Sequence, residues 1–242
     1  MNDAQPDGED MTMQVLDDSL EFLRKNNLGT MLIVSGGEPT EHRNFDEIMN
    51  RIIDFSTESG CIMFITVTTN GELIQNDSER FQGYIKRAKN GRNSVELVYQ
   101  VSADVRYYPR RIQTYKRIFR EDGFVLCDDC VEQIYPQGRA LDNNIPWKSK
   151  ASKCFNVRAI SKQIPMSASL HDIESTLAQR GYFCTPHIDV HGNIKLGESD
   201  LCPVCASIYD SMEDIMEKIR KFKCNQCEHI NKNLNDIYKL LL

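Results

Sequence analysis

Four short apolar runs recur along the first half of the chain at a spacing of about 30 residues, the length of one βαβ unit. They are Met31-Leu32-Ile33-Val34, 61–67, 95–101 and 124–127, and each follows closely on a glycine: Gly29, Gly60, Gly91 or Gly123. Between and before them, apolar residues repeat at the three-and-four spacing of a helix face. Residues 12–26 carry Met13, Leu16, Leu20 and Leu23, with Thr12 placed to cap and Gly29 just past the end. Residues 45–58 carry Phe45, Ile48, Met49, Ile52 and Ile53; 78–89 carry Phe81, Tyr84, Ile85 and Ala88; 110–120 carry Ile112, Tyr115 and Phe119. Short apolar strands alternating with amphipathic helices predict an α/β fold, a partial (β/α) barrel whose strands are parallel and buried. The series opens on a helix, so the barrel reads as incomplete at its N-terminus.

Beyond residue 140 the alternation stops. A helix is predicted over 170–180, with Ser169 and Asp172 as a capping box. Segments 184–190 and 194–196 flank His191-Gly192-Asn193, a hairpin signal. A last helix over 212–222 presents Met212, Ile215, Met216, Ile219 and Phe222 on one face, behind Ser211 and Asp214. The division that follows is a partial barrel over 1–149 and a small cysteine-rich α+β domain over 150–242.

The chain has 242 residues, 40% hydrophobic, which is enough for a buried core and excludes disorder as its main state. A formal charge of -6 opposes the phosphate attraction on which nonspecific nucleic-acid binding rests. No apolar run approaches the roughly 20 residues that span a bilayer, so no membrane role is expected. The opening MNDAQPDGEDMT is acidic and polar rather than a signal peptide, and the expected location is cytoplasmic.

In such a barrel a ligand sits at the carboxyl ends of the strands. There the sequence places Ser35-Gly36-Gly37-Glu38-Pro39, Thr68-Thr69-Asn70-Gly71 and Ser102-Ala103-Asp104. Paired glycines let a backbone approach a ligand closely, and Pro39 forces Glu38 extended, with its carboxylate expected toward the pocket and suited to a cationic amine. The structural alternative is a βα turn with an exposed Glu. Asn70-Gly71 is a common turn dipeptide. Ser102 and Asp104, two apart on a strand end, offer a hydroxyl and a carboxylate to a ribose or an amino-acid head group.

LIVSGGEPTEH at 32–42, TVTTNGELI at 66–74, QVSAD at 100–104 and YPQGRA at 135–140, in this order, resemble the radical S-adenosylmethionine enzymes, in particular those with a C-terminal SPASM or twitch extension. The resemblance implies that Gly36, Gly37 and Glu38, with Pro39 and Asn70 beside them, hold the methionine amino group of S-adenosylmethionine. It also implies that Ser102 and Asp104 contact the carboxylate or ribose, and that Arg139 lies near the site. It points to relatives that modify peptides or proteins, so a peptide or protein is the substrate class it implies. One departure is large. The family binds a [4Fe–4S] cluster on a C-x-x-x-C-x-x-C loop after its first strand, and this sequence has no cysteine before Cys61. The chain alone is therefore expected not to cleave S-adenosylmethionine. The alternative class is a noncatalytic metal-binding or partner-binding remnant of the same fold.

Nine cysteines are unusual for a reducing compartment, where they serve metals or clusters more often than disulfides. Cys224-Asn-Gln-Cys227 follows the last helix, Cys202-Pro-Val-Cys205 precedes it, and Cys184 opens the hairpin. This arrangement resembles a twitch module holding one auxiliary [4Fe–4S] cluster on Cys184, Cys202, Cys224 and Cys227, with Cys205 the substitute for Cys202. Zinc is the alternative occupant. A module of this size is expected to lean on the metal, which contributes on the order of 10 kcal/mol to folding. Cys127 and Cys130 read as packing residues, Cys154 as isolated, and His187, His191 and His229 as turn residues.

Overall fold

The structure, a computed structural model, describes residues 9–28, 31–102, 123–127, 186–196 and 203–221. It divides into two compact units: residues 1–10 with 29–133, and residues 11–28 with 134–242.

The first unit is α/β. Strands β1 (Met31–Val34), β2 (Phe64–Thr69), β3 (Glu96–Ser102) and β4 (Phe124–Cys127) form one sheet in the order β1-β2-β3-β4. Every pairing is parallel, with Val34 opposite Val67, Thr69 opposite Val101 and Ser102 opposite Cys127. This is the barrel-like sheet that the 30-residue spacing predicts. Helix α2 (Phe45–Ser59) follows β1, and α4 (Ser78–Lys89) precedes β3. Two short pieces went unread in the sequence: a 3-10 turn at Pro39–Glu41 and helix α3 (Glu72–Asn76).

The period of two along the strands separates two faces. Ile65, Val67, Leu97, Tyr99 and Val101 are essentially inaccessible, and α4 packs on β3 while α2 packs on α4. Phe45, Phe81, Tyr84, Tyr99 and Phe124 make a chain of ring contacts through this core. Asp46 on α2 accepts hydrogen bonds from Arg80 and Tyr84 on α4, closing the helix pair. The opposite face carries Met31, Ile33, Phe64 and Val125, which are 42% to 56% exposed. The expectation that β1 is buried on both faces is therefore corrected. Among the described residues β1 pairs with β2 alone, an edge strand without a second neighbour. The predicted strand 61–67 also starts later, at Phe64, because Cys61 folds back on Ser59.

The second unit holds a three-stranded antiparallel sheet, β5 (Pro186–Ile188), β6 (Asn193–Leu196) and β7 (Val204–Ser207), followed by α5 (Met212–Lys221). The hairpin is as read. Asp189 donates its N–H to Asn193 O, and Gly192, at φ +80, donates to Asp189 O. This is a type I turn closed by a left-handed glycine. The Asp189 carboxylate accepts from the N–H groups of His191 and Asn193 and from the Asn193 amide. Burial opposes its ionisation, but these bonds, with Lys195 nearby, hold its carboxyl below the usual aspartate range. Ser211 caps α5 reciprocally with Asp214.

Helix α1 (Met13–Lys25) belongs to this unit and not to the barrel, as a division at 149/150 would have it. Its Phe22, with Leu28 beyond it, joins Ile194, Ala206, Ile208, Ile215, Met216 and Ile219 in one core. Thr12 caps it as expected, accepting from Val15 N. Its stop is not Gly29 but Asn27, at φ +50, which lets Leu28 N reach back to Leu23 O. The helices predicted over 110–120 and 170–180 lie outside the described residues.

Candidate functional site

Three parallel strands in register bring their carboxyl ends to one rim, so the segments after β1 and β2 and the end of β3 at Ser102 are neighbours although about 30 residues separate them in the chain. The β1 segment leaves the sheet through Ser35, Gly36 and Gly37, all exposed. Gly36 lies at φ +123, and a Cβ added there would meet nothing within 4 Å. The open space beside this backbone is what a ligand approaching the turn requires.

Glu38 comes next. It is extended, at φ -122 and ψ 101, as the following proline dictates, and Pro39 starts the 3-10 turn. Its side chain departs from the expectation. Glu38 is 8% exposed, and its carboxylate is filled from within the protein. Oε1 accepts from Thr40 N at 3.1 Å, Thr40 Oγ1 at 2.6 Å and Thr69 Oγ1 at 2.6 Å, while Oε2 accepts from Asn70 N at 2.6 Å. A carboxylate with four donors has little capacity left for a ligand's amine. Both sequence alternatives, a pocket-facing Glu and an exposed one, give way to a buried carboxylate that joins two strand ends.

The β2 segment supplies the other half. Thr69, 3% exposed, ends the strand and also accepts from Gly71 N at 3.0 Å. Asn70 is buried, and its Oδ1 accepts from Glu72 N at 2.8 Å, which starts α3. Thr40 and Thr69 are the site residues that motif reading passed over. Their signal was a β-branched hydroxyl beside each turn, Glu-Pro-Thr and Thr-Asn-Gly, where a buried acceptor needs donors. Ser102 ends β3, half-buried on the sheet face away from the helices. Asp104 and Arg139 lie outside the described residues.

Of the expected metal ligands, Cys184, Cys202, Cys224 and Cys227 lie outside the described residues, as do Cys130 and Cys154. Cys205 is described. It sits on β7 inside the core of the second unit, and its Sγ donates to Ile194 O at 3.1 Å. Burial pushes its thiol up to about 11. In this position the thiol packs in the core and bonds a backbone carbonyl. Among the described residues no cluster of three His, Cys, Asp or Glu could hold a metal, and no helix is long and apolar enough to cross a membrane.

No protein-family model matches the chain, and neither does any curated protein. Solved structures do. The crystal structure of BtrN in complex with AdoMet and 2-DOIA superposes with a TM-score of 0.51 at 14% identity, over 94% of this chain and 76% of that one. BtrN with selenomethionine, in an open conformation, gives 0.48 at 14% identity, over 89% and 74%. At this identity the likeness is one of fold: the chain shares its overall architecture with a protein crystallised with AdoMet.

Proposed function

We propose that this chain is an S-adenosylmethionine-binding protein of the radical S-adenosylmethionine type, allied to enzymes that modify peptides or proteins, with an auxiliary iron-sulfur cluster. The observation that carries the reading is the Ser35-Gly36-Gly37 turn. It is open, left-handed at Gly36, and placed at the carboxyl rim of parallel strands in a fold shared with an AdoMet-bound protein. In this reading the backbone at Gly36 and Gly37 meets the methionine amine, and Ser102 with Asp104 meets the carboxylate or ribose. Asn70 and Arg139 border the site, and Glu38 acts through the backbone it holds. A cluster held by Cys184, Cys202, Cys224 and Cys227 would supply one-electron transfer.

The sequence contains no C-x-x-x-C-x-x-C motif, so the chain binds the cofactor without cleaving it. This favours the noncatalytic branch of the reading for the chain taken alone. The test is calorimetric titration of the anaerobically prepared protein with S-adenosylmethionine, beside an assay for 5'-deoxyadenosine after reduction. Saturable binding with no 5'-deoxyadenosine is expected. Absence of binding refutes the cofactor site, and multiple turnovers refute the inability to cleave.

A further inference from the structure

We infer that Glu38 and Thr69 are positioning residues, a clasp between two strand ends that sets the shape of the Ser35–Gly37 turn without touching its ligand. The inference rests on the cofactor reading above for the ligand's identity, and on hydrogen bonds for the rest. Two of the four bonds into the Glu38 carboxylate are local, from Thr40. The other two cross 31 and 32 residues of chain, from Thr69 Oγ1 and Asn70 N. The exposed turn is therefore pinned at one end by β1 and at the other by a side chain bonded to the end of β2. Between those anchors Gly36 holds φ +123, a conformation that L side chains rarely adopt.

The chemistry of the clasp is specific to a carboxylate. Both backbone bonds, from Thr40 N and from Asn70 N, are donations that cannot reverse. A glutamine places an N–H against one or the other in either orientation of its amide. Thr69 has a dual part, because its hydroxyl gives a hydrogen to Glu38 and takes one from Gly71 N. Serine reproduces both bonds and valine neither.

The experiment uses the full chain with Glu38→Gln, Thr69→Val and Thr69→Ser, read by amide hydrogen exchange without ligand and by calorimetry with S-adenosylmethionine. Thr69→Val should speed exchange at Gly71, and Glu38→Gln at Asn70 or Thr40, by at least tenfold, with α2 and α4 exchanging as before. Both should weaken cofactor binding at least tenfold, and Thr69→Ser should restore exchange and affinity to within about twofold of the parent. Wild-type affinity in Thr69→Val or Glu38→Gln overturns the positioning role, and equal weakening by valine and serine reduces Thr69 to packing. If the parent protein binds no S-adenosylmethionine, the cofactor reading fails and the exchange arm still decides the clasp. Unchanged Gly71, Asn70 and Thr40 rates would then overturn it.

Discussion

Replacing Tyr99 with phenylalanine should stabilise the first unit. Tyr99 is fully inaccessible at the centre of β3, edge-on to Phe81 at 5.3 Å and stacked on Phe124 at 5.6 Å between ring centroids. Its hydroxyl is buried without a hydrogen-bond partner among the described residues, and burial raises its pKa far above the ordinary tyrosine range. An unsatisfied buried hydroxyl costs roughly 1–3 kcal/mol of desolvation. Phenylalanine keeps both ring contacts and forfeits only the oxygen's dispersion contacts, at about 0.1–0.2 kcal/mol each. The balance is a gain of about 1 kcal/mol. With a urea m-value of roughly 2 kcal/mol/M, that moves the unfolding midpoint up by about 0.5 M. Circular dichroism follows the transition, and slower exchange of the β3 amides by about fivefold would assign the gain to this unit. A loss of 1 kcal/mol or more would refute the reasoning, because it would mean that the hydroxyl has a partner worth keeping.

Three further outcomes follow from the same geometry. Asp189→Asn should cost about 1 kcal/mol near neutral pH, discounted for screening at a half-exposed turn. Because folding lowers the Asp189 pKa, its contribution is present above about pH 4 and lost as pH falls through the folded value, so urea midpoints of variant and parent should converge in acid. Gly37→Val should abolish S-adenosylmethionine binding by calorimetry, since a branched side chain obstructs backbone approach; unchanged affinity would remove the rim as the site. In anaerobic preparations carrying about four irons per chain, Cys205→Ala should leave metal content unchanged by elemental analysis, whereas Cys224→Ser or Cys227→Ser should abolish it.

The parallel strands and their helices were legible because each half of the signal was local. A period near 3.6 marked α2 and α4, and short apolar runs marked β1 to β4. What the sequence hid was partnership. The run Met31-Leu32-Ile33-Val34 looks the same whether a strand has one neighbour or two, so the single neighbour of β1 among the described residues was not readable. Nor did the Leu16, Leu20 and Leu23 face of α1 say which sheet it would cover, and adjacency to β1 pointed to the wrong one. The site shows the same limit. Gly36-Gly37-Glu38 and Thr69-Asn70 were each visible as strand-end residues, but that Glu38 would spend its charge on Thr40, Thr69 and Asn70 depends on a pairing across 31 residues.

The recruitment of α1 changes what metal loss should do to the second unit. The sequence, read as a small module, predicts a domain that a cluster holds together at on the order of 10 kcal/mol. The structure gives this unit an apolar core: Ile194, Ile208, Ile215, Met216 and Ile219 from β6, the residue after β7 and α5, with Phe22 and Leu28 from α1 and its cap. At roughly 1.5–3 kcal/mol for each fully buried side chain, that core is of the same order as the metal contribution. Cys224→Ser should therefore strip the metal without dissolving the unit. Amides of β6 and β7 should stay protected against exchange in the metal-free variant, as should those of α5. A Phe22→Ala change on α1 should cost about 3–5 kcal/mol and loosen β6, β7 and α5 together. If metal removal alone exposes the amides of β6 and β7, the unit depends on its cysteines after all, and α1 adds too little core to matter.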